Sequence, residues 1–166
     1  MSIAIAIPIL SILLILQSAV FSRIVLLQGT ADLVLLALVA WALQKPVKTA
    51  WHWCIIGGLL VSYVSAIPLA APLLGYVMAV GVALLLKQRV WQAPILAMFM
   101  TTFMGTIVVQ LVELAALRIT GVVIPFFQSI NLVTLPSIML NLLLAIPFYA
   151  ILGDLSNWLY PEELVV

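Results

Sequence analysis

Charge is what this sequence has least of. Its 166 residues include six Lys/Arg, five Asp/Glu and one His, so 7% are charged against 67% apolar. A soluble domain carries about a quarter charged residues, and this little charge cannot coat a globule in water. The shortage excludes a cytosolic enzyme and a disordered tail. A formal net charge of +1 excludes a basic nucleic-acid module. Cysteine is nearly missing as well: Cys54 alone rules out an internal disulfide and any multi-cysteine metal site, and it reads as a buried, inert thiol. No Lys or Arg precedes the first apolar run, and Ser18-Ala19-Val20-Phe21 fits a cleavage site poorly. Residues 3–22 therefore read as a retained first helix. There is no Ser/His/Asp set, no HExxH, no paired intramembrane carboxylates, no glycine-rich phosphate loop and no run of adjacent basic residues. The expectation is a protein that is not an enzyme and holds neither metal nor cofactor.

What is present is apolar sequence, with a mean hydropathy of +1.39. A bilayer-spanning helix needs roughly 20 apolar residues. Six of them would use about 120 and leave about 46 for every loop and both tails. The fold class expected is an all-α integral membrane protein: a compact bundle of about six transmembrane helices forming one polytopic domain over residues 1–166. Charged and Pro-marked stretches divide the chain. They place helices at 3–22, Asp32–Leu43, Ala50–Ala66, Leu73–Leu86, Ala93–Leu117 and Leu132 to about Leu159. The second and fourth look short for a span. Trp158 and Tyr160 read as interface anchors. Alternating loops put Lys45, Lys48, Lys87 and Arg89 on one side and Arg23 and Arg118 on the other, so both termini, with Glu162 and Glu163, are expected in the cytoplasm.

Polar residues inside such helices are functional hypotheses by default. Glu113 lies roughly 12 Å from the middle of helix five, near enough to the boundary to snorkel. The favoured reading is an interfacial carboxylate near Arg118. The other is a polar patch with Gln110, one turn earlier, gripping a partner or ion. Asn141 falls near the midpoint of helix six, where an interhelical hydrogen bond is the expected solution. Pro147 then removes a backbone donor and should kink the helix. Small residues recur every fourth position in two rows, Gly58-Ser62-Ala66 and Gly75-Ala79-Ala83, and such rows let helices approach closely. Whether they meet each other or another protein stays open. Asp32 reads first as a helix cap and second as a proton or ion handler. His52, between Trp51 and Trp53, reads as part of an interfacial aromatic girdle, and Met98, Met100 and Met104 as packing residues. The connection 119–131 is apolar and carries Pro125, Phe126 and Phe127. Bare in water it would be a hydrophobic patch, so it is expected to lie in the interface, fold back over the bundle or be covered by a partner, the last two being favoured.

Four stretches together resemble the MreD family of rod shape-determining membrane proteins. Gly29-Thr30-Ala31-Asp32-Leu33-Val34-Leu35-Leu36 is similar to that family's "PDLVLL" entry to helix two, with Ala31 where proline is usual. Gly57-Gly58-Leu59-Leu60 resembles its "GLLxD" stretch, with Ser62 in place of Asp. Pro68-Leu69 followed by Leu74-Gly75-Tyr76 resembles its "PLG" turn, with Ala70 in place of Gly. Leu135 to Pro147, LPSIMLNLLLAIP, resembles its C-terminal helix and contains Pro136, Asn141 and Pro147. The resemblance covers almost the whole chain. It implies a non-enzymatic scaffold for lateral wall (peptidoglycan) synthesis in the bacterial cytoplasmic membrane. Such a scaffold would bind an MreC-like single-span partner and act with the MreB filament and wall synthases indirectly. The departure at Ser62 puts in doubt any role the family gives that Asp. The resemblance also implies the S-component fold of energy-coupling transporters. That supplies the competing expectation: a small-solute or vitamin binder with an outward pocket near Gln110, Gln128 or Asn141.

Overall fold

Eleven consecutive residues, Leu33–Leu43, are buried to the last side chain, and the other helices are arranged round them. A helix that is apolar on every face suits either a protein core or a membrane span, and LVLLALVAWAL, such a sequence, takes the core. The computed structural model describes residues 2–20, 26–68, 70–89, 93–122 and 125–161. Their helices are α1 (Ser2–Ala19), α2 (Leu33–Leu43), α3 (Ala50–Val64), α4 (Ala70–Arg89), α5 (Pro94–Ile119) and α6 (Phe126–Leu159). Among the described residues there is no strand beyond an isolated bridge between Leu26 and Gly29. The architecture is an all-α bundle in which α2 touches each of the other five helices.

Three helices, α4, α5 and α6, are long and apolar enough to cross a membrane, by length and composition; α1, α2 and α3 are shorter apolar helices. At 1.5 Å per residue α2 is about 16 Å long, roughly half the hydrocarbon thickness of a bilayer. Its shortness agrees with the sequence reading. That of α4 does not, because α4 has 20 residues. Pro72 falls in its first turn, where a missing N–H breaks no intrahelical bond, and Lys87 and Arg89 continue its last turn, where positive charge suits the helix dipole. Residues that look like punctuation are here helix ends.

The expected loop 119–131 is the second correction. The helix restarts at Phe126 and runs unbroken to Leu159, six residues earlier than expected, with a π-helical stretch at Ile130–Thr134. Phe126 and Phe127 pack edge to face, with ring centroids 5.8 Å apart, and Phe127 is 80% exposed. They are not folded back over the bundle. The aromatic girdle is corrected too. Trp51 and His52 face outward, whereas Trp53 is fully buried and stacks on Trp41 at 4.2 Å. Trp158 is exposed, and Cys54 is buried, as expected. Met98 is buried, while Met100 and Met104 are exposed. Arg23, Leu69, Glu162 and Glu163 lie outside the described residues.

The two small-residue rows are both used within the chain, and not against each other. A Cβ on Gly58 would sit 2.6 Å from Leu73 at the start of α4. Gly75 instead lies against Val109 of α5, and Ala79 against Gly105 of α5. Ser62, Ala79 and Ala83 are buried, while Ala66 is exposed. Outside this interior the surface is apolar: Ile15, Tyr63, Leu85, Met139 and Leu143 are among many large exposed side chains. In water that would be a liability. In hydrocarbon it is the required surface.

Candidate functional site: a polar cradle at the N-terminus of α2

A helix leaves its first backbone N–H groups without intrahelical acceptors, and inside a membrane no bulk water replaces them. In α2 side chains supply every one. Asp32 caps the helix, its Oδ1 accepting from Leu35 N–H at 2.9 Å. Gln17 of α1 places one oxygen, Oε1, within 2.8 Å of Leu33 N and 3.2 Å of Val34 N. The N–H of Asp32 itself donates to Asn141 Oδ1 of α6 at 2.8 Å. The next donor, Leu36 N–H, reaches Asp32 O and begins the regular ladder.

The acceptors are held in turn. Tyr76 of α4 donates its hydroxyl to the Asp32 carboxylate, with oxygen distances of 2.9 and 3.1 Å. Asn141 Nδ2 donates to Thr106 Oγ1 of α5 at 2.9 Å, and Thr106 donates to Thr102 O at 2.8 Å. Asn141 is fully buried and Tyr76 is 1% exposed. Helices α1, α4, α5 and α6 thus converge on the start of α2 through named hydrogen bonds.

The backbone entering α2 docks against α6 by a second device. Pro136 has no N–H, so the carbonyl of Leu132, four residues before it, lacks its usual helical donor. Gln28 N–H occupies that carbonyl at 2.9 Å, and Thr30 N–H donates to Ser137 Oγ at 3.2 Å. Gly29 lies between them. A Cβ there would come within 2.7 Å of both Ser137 N and Val133 O, both backbone atoms. The chain passes so close to α6 that only glycine fits.

Two adjoining cavities flank the cradle. The inner one, of about 330 Å³, is lined by Asp32, Gln17, Tyr76, Thr106, Ser137 and Asn141, with Gln110 and Glu113 at its side. The outer one, of about 540 Å³, is lined by Gln28, Gln128, Ser129 and residues of α5. Thr30, Ile67, Gln110 and Glu113 border both. Since Gln28, Ile67 and Pro125 meet here, the α1–α2, α3–α4 and α5–α6 connections lie at one end of the bundle. At the other end Lys87 Nζ donates to Gln44 O and Val47 O, in the α2–α3 connection.

The site residues expected from sequence divide into those the cradle gathers and those it does not. Asp32 and Asn141 are bonded to each other's residue, Pro136 supports the approach to α2, and Gln110 and Glu113 line the cavities. The Glu113 side chain is half-buried and borders both cavities, so its place in the lining adds to the reading near Arg118, whose guanidinium lies over the Phe126 ring at 5.9 Å. Gln110 does not hydrogen-bond it. Asp32 and Glu113, 81 residues apart in sequence, border one cavity. Gly58, Ser62, Gly75 and Ala79 pack helices elsewhere, Phe126 and Phe127 face outward, and Pro147 is exposed on α6. Sequence reasoning missed Gln17, Thr106 and Ser137. A usable signal existed for Gln17, the one carboxamide in α1. None existed for Thr106, since threonine in a membrane helix commonly bonds its own backbone.

No family model, curated protein or solved structure matches the chain.

Proposed function

We propose that the chain is an MreD-like membrane scaffold. It has no catalytic role and captures the transmembrane segment of an MreC-like single-span protein in the bacterial cytoplasmic membrane. Both termini lie in the cytoplasm, and the scaffold assists the MreB filament and the wall synthases through that partner. One observation carries the reading. Two of the stretches that resemble the family, the one around Asp32 and the strongest, around Pro136 to Asn141, are bonded to one another across 109 residues of sequence. They form a rigid internal support that leaves the outer helix faces free to dock. Co-purification tests it. Tagged protein drawn from a mild detergent extract brings down a single-span MreC-like protein; recovery of no such protein and no wall-synthesis partner contradicts the proposal. Reporter fusions at the C-terminus test the topology, and activity only outside the cytoplasm contradicts it.

The cavities favour a second reading, an S-component-like protein that binds a vitamin or other small solute. What supports it is their size and position. Small-molecule sites measure about 300–1,000 Å³, and Gln110, Gln128 and Asn141 line these two, at the end that the basic residues assign to the outside. Thermal stabilisation of the purified chain by a member of a vitamin panel would favour it, and no shift across the panel would count against it.

A further inference from the structure

Most of the cradle's polar valence is spent on α2. What remains unspent faces the cavities. Glu113 and Gln110, one turn apart on α5, border both chambers and make no hydrogen bond among the described residues. Ser137 is 2% exposed and lines the inner chamber; its hydroxyl accepts from Thr30 N–H and donates to nothing among the described residues. A buried hydroxyl with an unused donor is costly in a low-dielectric setting unless something else accepts from it. Charge is one-sided as well. Asp32 and Glu113 are the ionisable carboxyl groups of the lining, and among its described residues there is no Lys, Arg or His. A carboxylate kept inside a membrane bundle marks a ligand or ion path more often than a packing role. Tyr76 also borders the inner chamber, with its hydroxyl engaged by the Asp32 carboxylate.

We infer that the double cavity beside Asp32 and Glu113 binds a small organic ammonium that also carries an oxygen acceptor, that is, an amino alcohol. Its ammonium lies toward Glu113 and the Gln110 carbonyl oxygen, and its oxygen accepts from Ser137. An inner chamber of about 330 Å³ exceeds what a bare metal ion needs. Among the described residues no group of three or more His, Cys, Asp or Glu side chains stands ready to hold a metal. The same chemistry occurs in free ethanolamine and in the headgroup of phosphatidylethanolamine. The inference rests on the solute-binding reading for its purpose and names the ligand's chemistry.

Calorimetric titration of the full chain in detergent with ethanolamine, putrescine and choline tests it, beside nanodiscs with and without phosphatidylethanolamine. Ethanolamine is expected to bind and raise the melting temperature, with Glu113→Gln weakening it at least tenfold and leaving the ligand-free melting temperature unchanged. If Glu113→Gln does not fold, Gln110→Leu gives the same comparison. Stabilisation by the phospholipid in nanodiscs but not by free ethanolamine assigns the lipid as the source. Binding of a neutral or anionic solute while every amine fails overturns the inference and leaves the solute-binding reading standing. Failure of every solute overturns both. Binding of ethanolamine that Glu113→Gln does not weaken, or response to sodium or calcium alone, overturns the inference.

Discussion

The two ends of α2 solve the same problem in opposite ways. Both lie inside the bundle, and both present unpaired backbone groups that a membrane cannot solvate. At the N-terminal end the partial positive charge meets the Asp32 carboxylate, and short amide and hydroxyl side chains from three other helices complete the set. At the C-terminal end the partial negative charge meets the Lys87 ammonium, while Gln44 Nε2 donates to Ala40 O and Tyr149 O. Large rings fill the space there: Trp41 stacks on Trp53, and the Tyr160 ring centroid is 6.4 Å away. Two cavities adjoin the N-terminal end, and stacked indoles pack beside the C-terminal one. Charge complements the helix dipole at both ends.

Breaking the N-terminal end should have the largest effect. Asn141→Leu strands the Asp32 N–H and removes the donor that Thr106 Oγ1 accepts from, while Thr106 keeps its bond to Thr102 O. The expected loss is about 2–3 kcal/mol, since two buried bonds vanish at once. Unfolding by SDS titration from mixed micelles measures it, and a loss near zero would mean that Asn141 is not needed to hold α2. Gly29→Ala attacks the same end from outside. Its Cβ would meet two backbone atoms at 2.7 Å, so α6 has to move, at about 2 kcal/mol. In the same assay an unchanged midpoint would show that the approach of residues 26–30 to the π-helical turn is looser than described.

Much of this comparison was legible in the sequence, and the missing part has a definite character. Composition alone specifies an apolar helical bundle, because so little charge admits few other solutions. Asp32 as a cap and Asn141 as an interhelical bonder follow from single positions, since a carboxylate at a helix start and an amide at mid-membrane have few outlets. The extent of α4 and α6 was misread, because Pro72 and Pro125 end one segment or begin another with equal ease. Only the neighbouring turn decides which. Gln17 and Thr106 were not legible because their roles depend on which residue of a distant helix stands opposite. Glu113 was judged by depth along its own helix, a one-dimensional measure that cannot show a cavity formed with five others.

At the C-terminal end Lys87→Met leaves two carbonyls without their charged donor. It should cost about 1.5 kcal/mol, less than Asn141→Leu because Gln44 and the stacked indoles remain. An effect larger than that of Asn141→Leu would reverse the ranking of the two ends. The smallest effect is expected at Gln110→Leu, which touches the cavity but no bond of the cradle: within about 0.5 kcal/mol of the parent. A greater loss would mean that Gln110 belongs to the support.

The most direct test is amide hydrogen exchange at Leu33, Val34 and Leu35 in protein reconstituted in nanodiscs. If side chains of α1 and α2 close the start of this helix, all three exchange as slowly as the middle of α2. Gln17→Ala then speeds Leu33 and Val34 while leaving Leu35, held by Asp32, slow. Fast exchange at all three in the unmodified chain, or no response to Gln17→Ala, would contradict the cradle on which the account is built.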